Sequence, residues 1–384
     1  MIRFLHSSDW HLTAGKFFDE TVAVLEFLTG VARREKVDAV LLPGDFVHAD
    51  LPHRVMVPRE RLWIADLLGK RGLPAVHIIH GNHDIECDLD LFGLLPNVRV
   101  HTGANLSPVV RVVPPDSSRD YDLLTVPYPH KRHWQAARAA GSIEGGRQEL
   151  GATLGQALRG LAQQRRPDVP LIGLAHLNIA GSKVGGGEVL IGQEIELSPA
   201  DLDEIGCDYW ALGHIHAPQQ IAERAWYAGT PQPHSFGDSN VNGFNLVEIE
   251  GPGKPPRVTF VETPAVKLVT DHVLWANGAW VHNTDDCALA GQPVGRVHLR
   301  VVATVDEADR DAARWGDLDR WGHAFAPLSV KIERRIIPTT RVRSEAIRAA
   351  SSVPEKLAAF WDTQTPSPPA DERERAVELL EVIA

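Results

Sequence analysis

Five apolar runs in this chain each stop at a polar string, and that repeated arrangement narrows the open folds more than composition does. Residues 2–5 lead to Asp9-Trp10-His11, and residues 38–42 to Gly44-Asp45. Residues 75–79 lead to Gly81-Asn82-His83-Asp84, 171–175 to His176, and 209–212 to Gly213-His214-Ile215-His216. Short apolar runs bounded by turn residues read as buried strands. Between them, residues 20–34 carry Val22, Leu25, Leu28 and Val31 at helical spacing, and residues 62–70 read as a second helix. Every polar string thus falls just past a strand's carboxyl end, where layered α/β folds place their sites.

The strings supply carboxylate, amide and imidazole groups. Asp9 and His11 are two apart, so an extended chain turns both to one side. Gly44 permits a sharp turn that points Asp45 into a cleft. A carboxylate has two oxygens, so Asp45 can bridge two ions. Asn82 offers a neutral oxygen. His83 can stay unligated and act on a phosphate, with Asp84 orienting its imidazole. His214 and His216 repeat the two-apart pattern, His176 completes the set, and His48 lies three residues past Asp45, within reach of the same cleft. Each string alone has an ordinary reading: a turn or helix cap for Asp45, a tight turn for 81–84, a structural histidine for His176. Their conjunction points to two divalent ions about 3.5–4 Å apart, the arrangement that clamps a phosphoryl group. The remaining histidines, such as His101, His133, His272, His282, His298 and His323, read as structural or exposed, while His6, His77 and His80 lie near strands without a partner pattern.

At 384 residues the chain exceeds one ordinary core, so two domains and a tail are expected. The net charge of −11 argues against a surface devoted to nucleic acid. It does not exclude DNA as a substrate, since bound cations or a partner add local positive charge. No apolar run reaches the roughly 20 residues of a membrane span, and a cleavable leader would remove or crowd Asp9 and His11. Cys87, Cys207 and Cys287 are too scattered for a disulfide framework, and the expected setting is cytoplasmic. Beyond Thr263-Pro264 the pattern changes: 297–302 and 328–337 read as strands with a helix at 306–315 between them, a small β-α-β unit. A proline-rich break at 366–369 then separates amphipathic helices at 354–361 and 372–383.

The ordered strings resemble the calcineurin-like metallophosphoesterase superfamily. Within it, residues 1–264 look like the SbcD family of DNA repair exonucleases. The resemblance rests on His6-Ser7-Ser8-Asp9-Trp10-His11-Leu12, Gly44-Asp45-Phe46-Val47-His48, Gly81-Asn82-His83-Asp84, Ala211-Leu212-Gly213-His214-Ile215-His216, Tyr227-Ala228-Gly229-Thr230-Pro231-Gln232 and Ser235-Phe236-Gly237. It implies an α/β fold, a β-sandwich flanked by helices over 1–264, a small capping domain over 265–338, and a C-terminal linker and helical partner-binding segment over 339–384. It implies that Asp9, His11, Asp45 and His216 hold one ion and Asp45, Asn82, His176 and His214 the other. His83, supported by Asp84, would act in phosphodiester cleavage, and His48 would place the phosphate. Manganese is the implied metal, with iron, zinc or magnesium as alternatives. The implied partners are DNA, an SbcC-like coiled-coil ATPase docked on the C-terminal helices, and a second copy in a homodimer. The chain departs from the family at Pro233-His234, where a basic residue is common. Two other readings stay open: a phosphodiesterase or phosphatase for small molecules, and a DNA-end-binding scaffold without turnover.

Overall fold

Leu5, Val40, Leu42, Val76 and Ile78 turn to one side of a sheet, and Phe4, Ala39, Leu41 and Ile79 to the other. Both sets are apolar, so this sheet is covered on both faces. The computed structural model describes residues 1–13, 17–47, 57–70, 73–84, 88–101, 109–113, 119–129, 147–185, 194–238, 240–283, 296–338, 345–363 and 368–383. The chain divides into two compact units: Met1–Thr270 with Ala288–Arg300 and His323–Lys331, and Asp271–Cys287 with Val301–Gly322 and Ile332–Ala384.

The first unit holds two six-stranded mixed sheets. In chain order its strands are β1 (Ile2–His6), β2 (Ala39–Leu42), β3 (Ala75–Ile79), β4 (Val98–His101), β5 (Val110–Val112), β6 (Tyr121–Val126), β7 (Leu171–His176), β8 (Asn178–Ile179), β9 (Glu196–Leu197), β10 (Tyr209–Gly213), β11 (Gln219–Ala222), β12 (Ala225–Tyr227), β13 (Gly243–Ile249) and β14 (Arg257–Glu262). One sheet runs β14-β13-β1-β2-β3-β4, the other β11-β12-β10-β7-β6-β5, and β8 pairs with β9. Strands β1 to β4 are mutually parallel, as are β6, β7, β10 and β12.

Phe4, Leu41, Ile79 and Val247 of the first sheet meet Leu123, Ile172, Leu174, Tyr209 and Ala211 of the second in one buried cluster. Phe4 packs edge-on to Tyr121, with ring centroids 5.1 Å apart. The outer face of the first sheet is covered by helix Phe18–Arg34 through Leu25, Leu28 and Val31. The outer face of the second is covered by helix Arg147–Ala162 through Leu150, Leu154 and Leu158, with Leu202 and Ile205 of helix Pro199–Ile205. The result is the expected α/β layering, a β-sandwich with helices outside both sheets. Its consequence for function is directional: in both sheets the parallel strands that carry the polar strings deliver them at their carboxyl ends.

In the C-terminal third, the sheet order is β16-β15-β17-β18, with β15 at Lys267–Ala276, β16 at Ala279–His282, β17 at Val297–Asp306 and β18 at Ser329–Ile337. β15 and β16 form a hairpin whose two turn residues, Asn277 and Gly278, have φ of 52° and 77°. That is the left-handed pair a tight two-residue turn requires. The helix expected at 306–315 is displaced. A 3-10 turn covers Glu307–Asp309, and the α-helix falls at Asp317–His323. Trp315 Nε1 donates to Arg310 O at 3.2 Å, the carbonyl that a continuous helix would offer to the Arg314 N–H, and Trp280 Nε1 donates to Arg314 O at 3.0 Å. Helices follow at Glu345–Ala349, Val353–Trp361 and Ala370–Ile383. Ser352 and Glu355 form a reciprocal capping box at the start of the second of these. No helix among the described residues is long and apolar enough to cross a membrane.

Removing the Phe4 ring opens a cavity between the two sheets. Phe4→Ala is expected to lower unfolding free energy by about 3–5 kcal/mol, read as a lower denaturant midpoint at unchanged slope.

Candidate metal centre

The loops after β1 and β2 are zipped together. Asp9 N–H donates to Gly44 O at 3.2 Å, His11 N–H to Asp45 O at 3.0 Å, and Leu12 N–H to Phe46 O at 2.8 Å. The backbone of these loops, and of the loop after β10, is strained where it carries polar side chains. Asp9, His11, Asp45 and His214 have φ of 53°, 43°, 53° and 97°, making them four of the eight non-glycine left-handed residues described. Each such residue costs on the order of 1–3 kcal/mol and persists only where its surroundings over-determine it. The surroundings here include two glycines. Gly44 has φ of 88°, and a Cβ on it would meet His176 Nδ1 at 2.6 Å. A Cβ on Gly81 would overlap the Asp45 carboxylate.

Asp45 is buried at the middle of the cluster. Its Oδ1 accepts from His83 N–H at 2.9 Å. Its Oδ2 lies 3.6 Å from His11 Nε2 on one side and 3.5 Å from His176 Nε2 on the other. On the His11 side, His11 Nε2 and His216 Nε2 are 3.1 Å apart, and the Asp9 carboxylate accepts from His214 N–H at 3.1 Å. On the His176 side, Asn82 Oδ1 lies 2.9 Å from His176 Nε2 and 3.1 Å from His214 Nδ1. The structure therefore brings Asp9, His11, Asp45, Asn82, His83, His176, His214 and His216 together in one place. His48 lies outside the described residues.

These side chains fit cations. Ligand atoms of Asp9, His11 and His216, of His11, Asp45 and His83, and of Asp9, Asp45 and His176 fall within 4.8 Å of one another in each set. An ion bonded to oxygen and imidazole nitrogen at about 2.0–2.2 Å requires donors that close. Tautomers support the same fit. His176 Nδ1–H donates to Pro43 O at 2.7 Å, which aims Nε2 at Asn82 and Asp45. His214 Nε2–H donates to Glu194 Oε2 at 2.8 Å. His214 Nδ1 and Asn82 Oδ1 then lie 3.1 Å apart, where a shared cation could take both.

Burial sets the proton balance. It pushes Asp9 up to about 8, with Asp45 adding to the rise and His176 opposing it. Burial, the largest influence, also raises Asp45, but His176, His11 and His83 together overcome it and hold Asp45 well below the usual carboxylate range. Burial alone would depress His176, yet the carboxylates of Asp45 and Asp9 lift it to about 9. Burial keeps His11 well below its ordinary value and brings His216 to about 4, so both are neutral imidazoles ready to bind a cation.

Asp84 has a different task from the one expected. Its carboxylate accepts the backbone N–H groups of Phe46, Val47 and Gly81 at 2.9–3.2 Å. It clamps the loop after β3 to the loop after β2. Adjacency in sequence suggests a side-chain pair, but the carboxylate turns inward to buried donors that only the folded loops supply. Glu194, Tyr128 and His234 carry no motif. Tyr128 faces the rings of His176 and His214, with centroids 6.0 and 5.7 Å away. His234 Nε2 lies 3.1 Å from Asp9 O, and its ring is 4.8 Å from that of His11. The Pro233-His234 departure is the one cue in the sequence, and it gives no role. His6 and His77 are buried structural groups bonded to the hydroxyls of Tyr209 and Tyr121 at 2.8 and 2.7 Å.

The family model for calcineurin-like phosphoesterases matches residues 2–218. The chain is 26% identical over 274 residues to the D component of the SbcCD nuclease of Bacillus subtilis, covering 62% of this chain and 63% of that protein. It is 27% identical over 288 residues to the D component of the SbcCD nuclease of Escherichia coli, covering 69% of each. It is 24% identical over 396 residues to the DNA double-strand break repair protein Mre11 of Aeropyrum pernix, covering 94% of this chain and 80% of that protein. The match to the Bacillus protein thus spans under two thirds of its length.

Two outcomes follow from this geometry. With Asp9 near 8 and His176 near 9, both groups hold protons at neutral pH. Cation binding needs them deprotonated. Divalent-cation affinity is therefore expected to rise with pH and level off above about 9, with protons released on binding, as calorimetry in buffers of different ionisation enthalpy would read. Glu194→Ala removes the carboxylate that orients His214 and should weaken divalent-cation binding about 10–100-fold. Unchanged titration curves would remove Glu194 from the centre.

Proposed function

The chain belongs to the calcineurin-like phosphoesterase family, and from that premise we propose that this metal-dependent phosphoester hydrolase is a DNA nuclease of the SbcD kind. The observation that carries the reading is the place of Asp45 Oδ2, 3.6 Å from His11 Nε2 and 3.5 Å from His176 Nε2. One carboxylate so placed serves two cations. In this reading Asp9, His11, Asp45 and His216 hold one ion and Asp45, Asn82, His176 and His214 the other. Two bound divalent ions supply a clamp on the phosphoryl oxygens and lower the pKa of water toward neutrality.

The chain's own residues then do three things. The buried carboxylates and imidazoles fix the donors before substrate arrives, so little reorganisation remains during the reaction. His83, with a side chain 30% exposed and its ring 4.8 Å from His11, reaches outward from the donors and delivers a proton to the leaving oxygen. Asp84 holds the loop that carries His83. His48, three residues past Asp45, belongs to this reading as the group that places the phosphate. A mixed set of oxygen and imidazole donors suits manganese, with iron, zinc and magnesium as the alternatives to exclude.

DNA is the substrate in this reading, cut in exonucleolytic or endonucleolytic mode. The names of the relatives from Bacillus subtilis, Escherichia coli and Aeropyrum pernix support it. The name of the Aeropyrum relative also supports a role in DNA repair, and in this reading recombination and an SbcC-like coiled-coil ATPase partner go with it. Residues 265–338 would then cap the nuclease domain, and residues 339–384 would carry the partner-binding helices. In helix Val353–Trp361 no side chain is buried, and Val353 and Phe360 are 61% and 45% exposed. A homodimer and a cytoplasmic setting complete the proposal. Cys207 is a free, buried thiol, in keeping with a reducing compartment.

A panel of single-stranded, hairpin and duplex DNA beside small phosphodiesters tests the substrate. Polymer cleavage with little small-ester turnover is expected, and the reverse preference would replace the nuclease with a small-molecule phosphodiesterase. No turnover on any of them would leave the scaffold reading. His83→Ala should lower the cleavage rate by about 10²–10⁴-fold while elemental analysis still finds the metal. A fully active variant would refute its proton-transfer role.

A further inference from the structure

In the second unit, a cavity of about 350 Å³ is lined by Arg310, Asp311, Trp315, Arg334 and Ile336. Its centre is an indole fixed from two directions. Trp315 Nε1 donates to Arg310 O at 3.2 Å, and its ring packs on Trp280 at 5.2 Å between centroids. Trp280 is itself buried and anchored by its N–H to Arg314 O at 3.0 Å. The indole therefore holds its orientation with no ligand bound. The Arg334 guanidinium carbon lies 5.0 Å from the Trp315 ring centroid. Arg310 and Arg334 are exposed, and among the described residues neither pairs with a carboxylate. By contrast, the neighbouring Arg314, Arg320 and Arg335 are each paired with Asp317 or Glu333.

We propose that this Arg310–Trp315–Arg334 cavity binds one nucleotide of single-stranded DNA, the base stacking on the indole and the backbone phosphates pairing with the two arginines. One indole and two guanidinium groups match one base and its two flanking phosphates. An indole offers every base a π-face, so the contact tolerates sequence, and arginines beside it track the phosphates. Arg334 loses only a weak exposed contact with the ring when it turns to a phosphate. Asp311 in the same lining disfavours a bare anion and can accept from an exocyclic amino group of a base. A simple phosphate or an acidic peptide would leave the indole face unused. The proposal rests on the DNA reading of the first unit's centre but adds a contact in the other unit that no part of that reading requires.

The test uses the full chain in EDTA, so that no cleavage occurs, and the fluorescence anisotropy of a labelled 12-nucleotide oligothymidylate. Binding by the wild type is expected. Trp315→Ala and the double variant Arg310→Gln with Arg334→Gln should each weaken it about tenfold, while Trp315→Phe, which keeps a stacking face, should stay within about twofold. The double arginine variant should also flatten the dependence of log affinity on log salt by about 1.4, the value for two single-strand phosphate contacts. Turnover of a small chromogenic phosphodiester with manganese present should be unchanged in all variants. Equal oligonucleotide affinity across the set, or an unchanged salt slope in the arginine pair, would overturn the proposal. A wild type that ignores the oligomer would do the same. If Trp315→Ala fails to fold, Trp315→Phe and the arginine pair still decide it. Failure of the nuclease reading would show instead as absent DNA cleavage with these binding differences intact.

Discussion

The carboxylate of Asp45 is the contact on which the rest of the first unit depends. It lies buried between two groups of imidazoles, with one oxygen bonded to the His83 backbone and the other about equally far from His11 and His176. A buried, ionised carboxylate is unfavourable without compensation. Here His176, lifted to about 9, supplies a positive charge in the absence of a cation. Bound cations would take over that role. That is the physical sense in which the folded chain anticipates metal.

Holding Asp45 there has a structural cost spread across several elements. Four strained residues, two glycines without room for a side chain, and the Asp84 clamp between loops all serve one constellation. The two sheets make this arrangement tolerable. Their shared interior of Phe4, Leu41, Ile172, Leu174 and Tyr209 fixes β2 against β7 and β10, so the loops at the carboxyl ends meet at a set separation. Side chains far apart in sequence, such as Asp45 and His214, reach one pocket for that reason.

Much of this is legible in the chain itself. Short apolar runs mark β1, β2, β3, β7 and β10, because strands buried on both faces need no alternation. The polar strings after them identify Asp9, His11, Asp45, Asn82, His176, His214 and His216 as neighbours in space. Other features are not legible. Adjacency suggests that Asp84 orients His83, but its partners are backbone donors of Phe46, Val47 and Gly81, visible only once two loops are docked. The helix expected at 306–315 gives way to one at Asp317–His323, with the Trp315 indole on the Arg310 carbonyl in between.

The sequence by itself determined which chemical groups are available and that they follow strands, since residue type and hydrophobic period are local properties. The tertiary structure alone decided which nitrogen of each histidine faces inward, that Glu194 and not a nearer residue holds His214, and that His234 meets Asp9. Those outcomes depend on the angle and spacing between two packed sheets, and no periodicity within a single segment encodes the distance between layers.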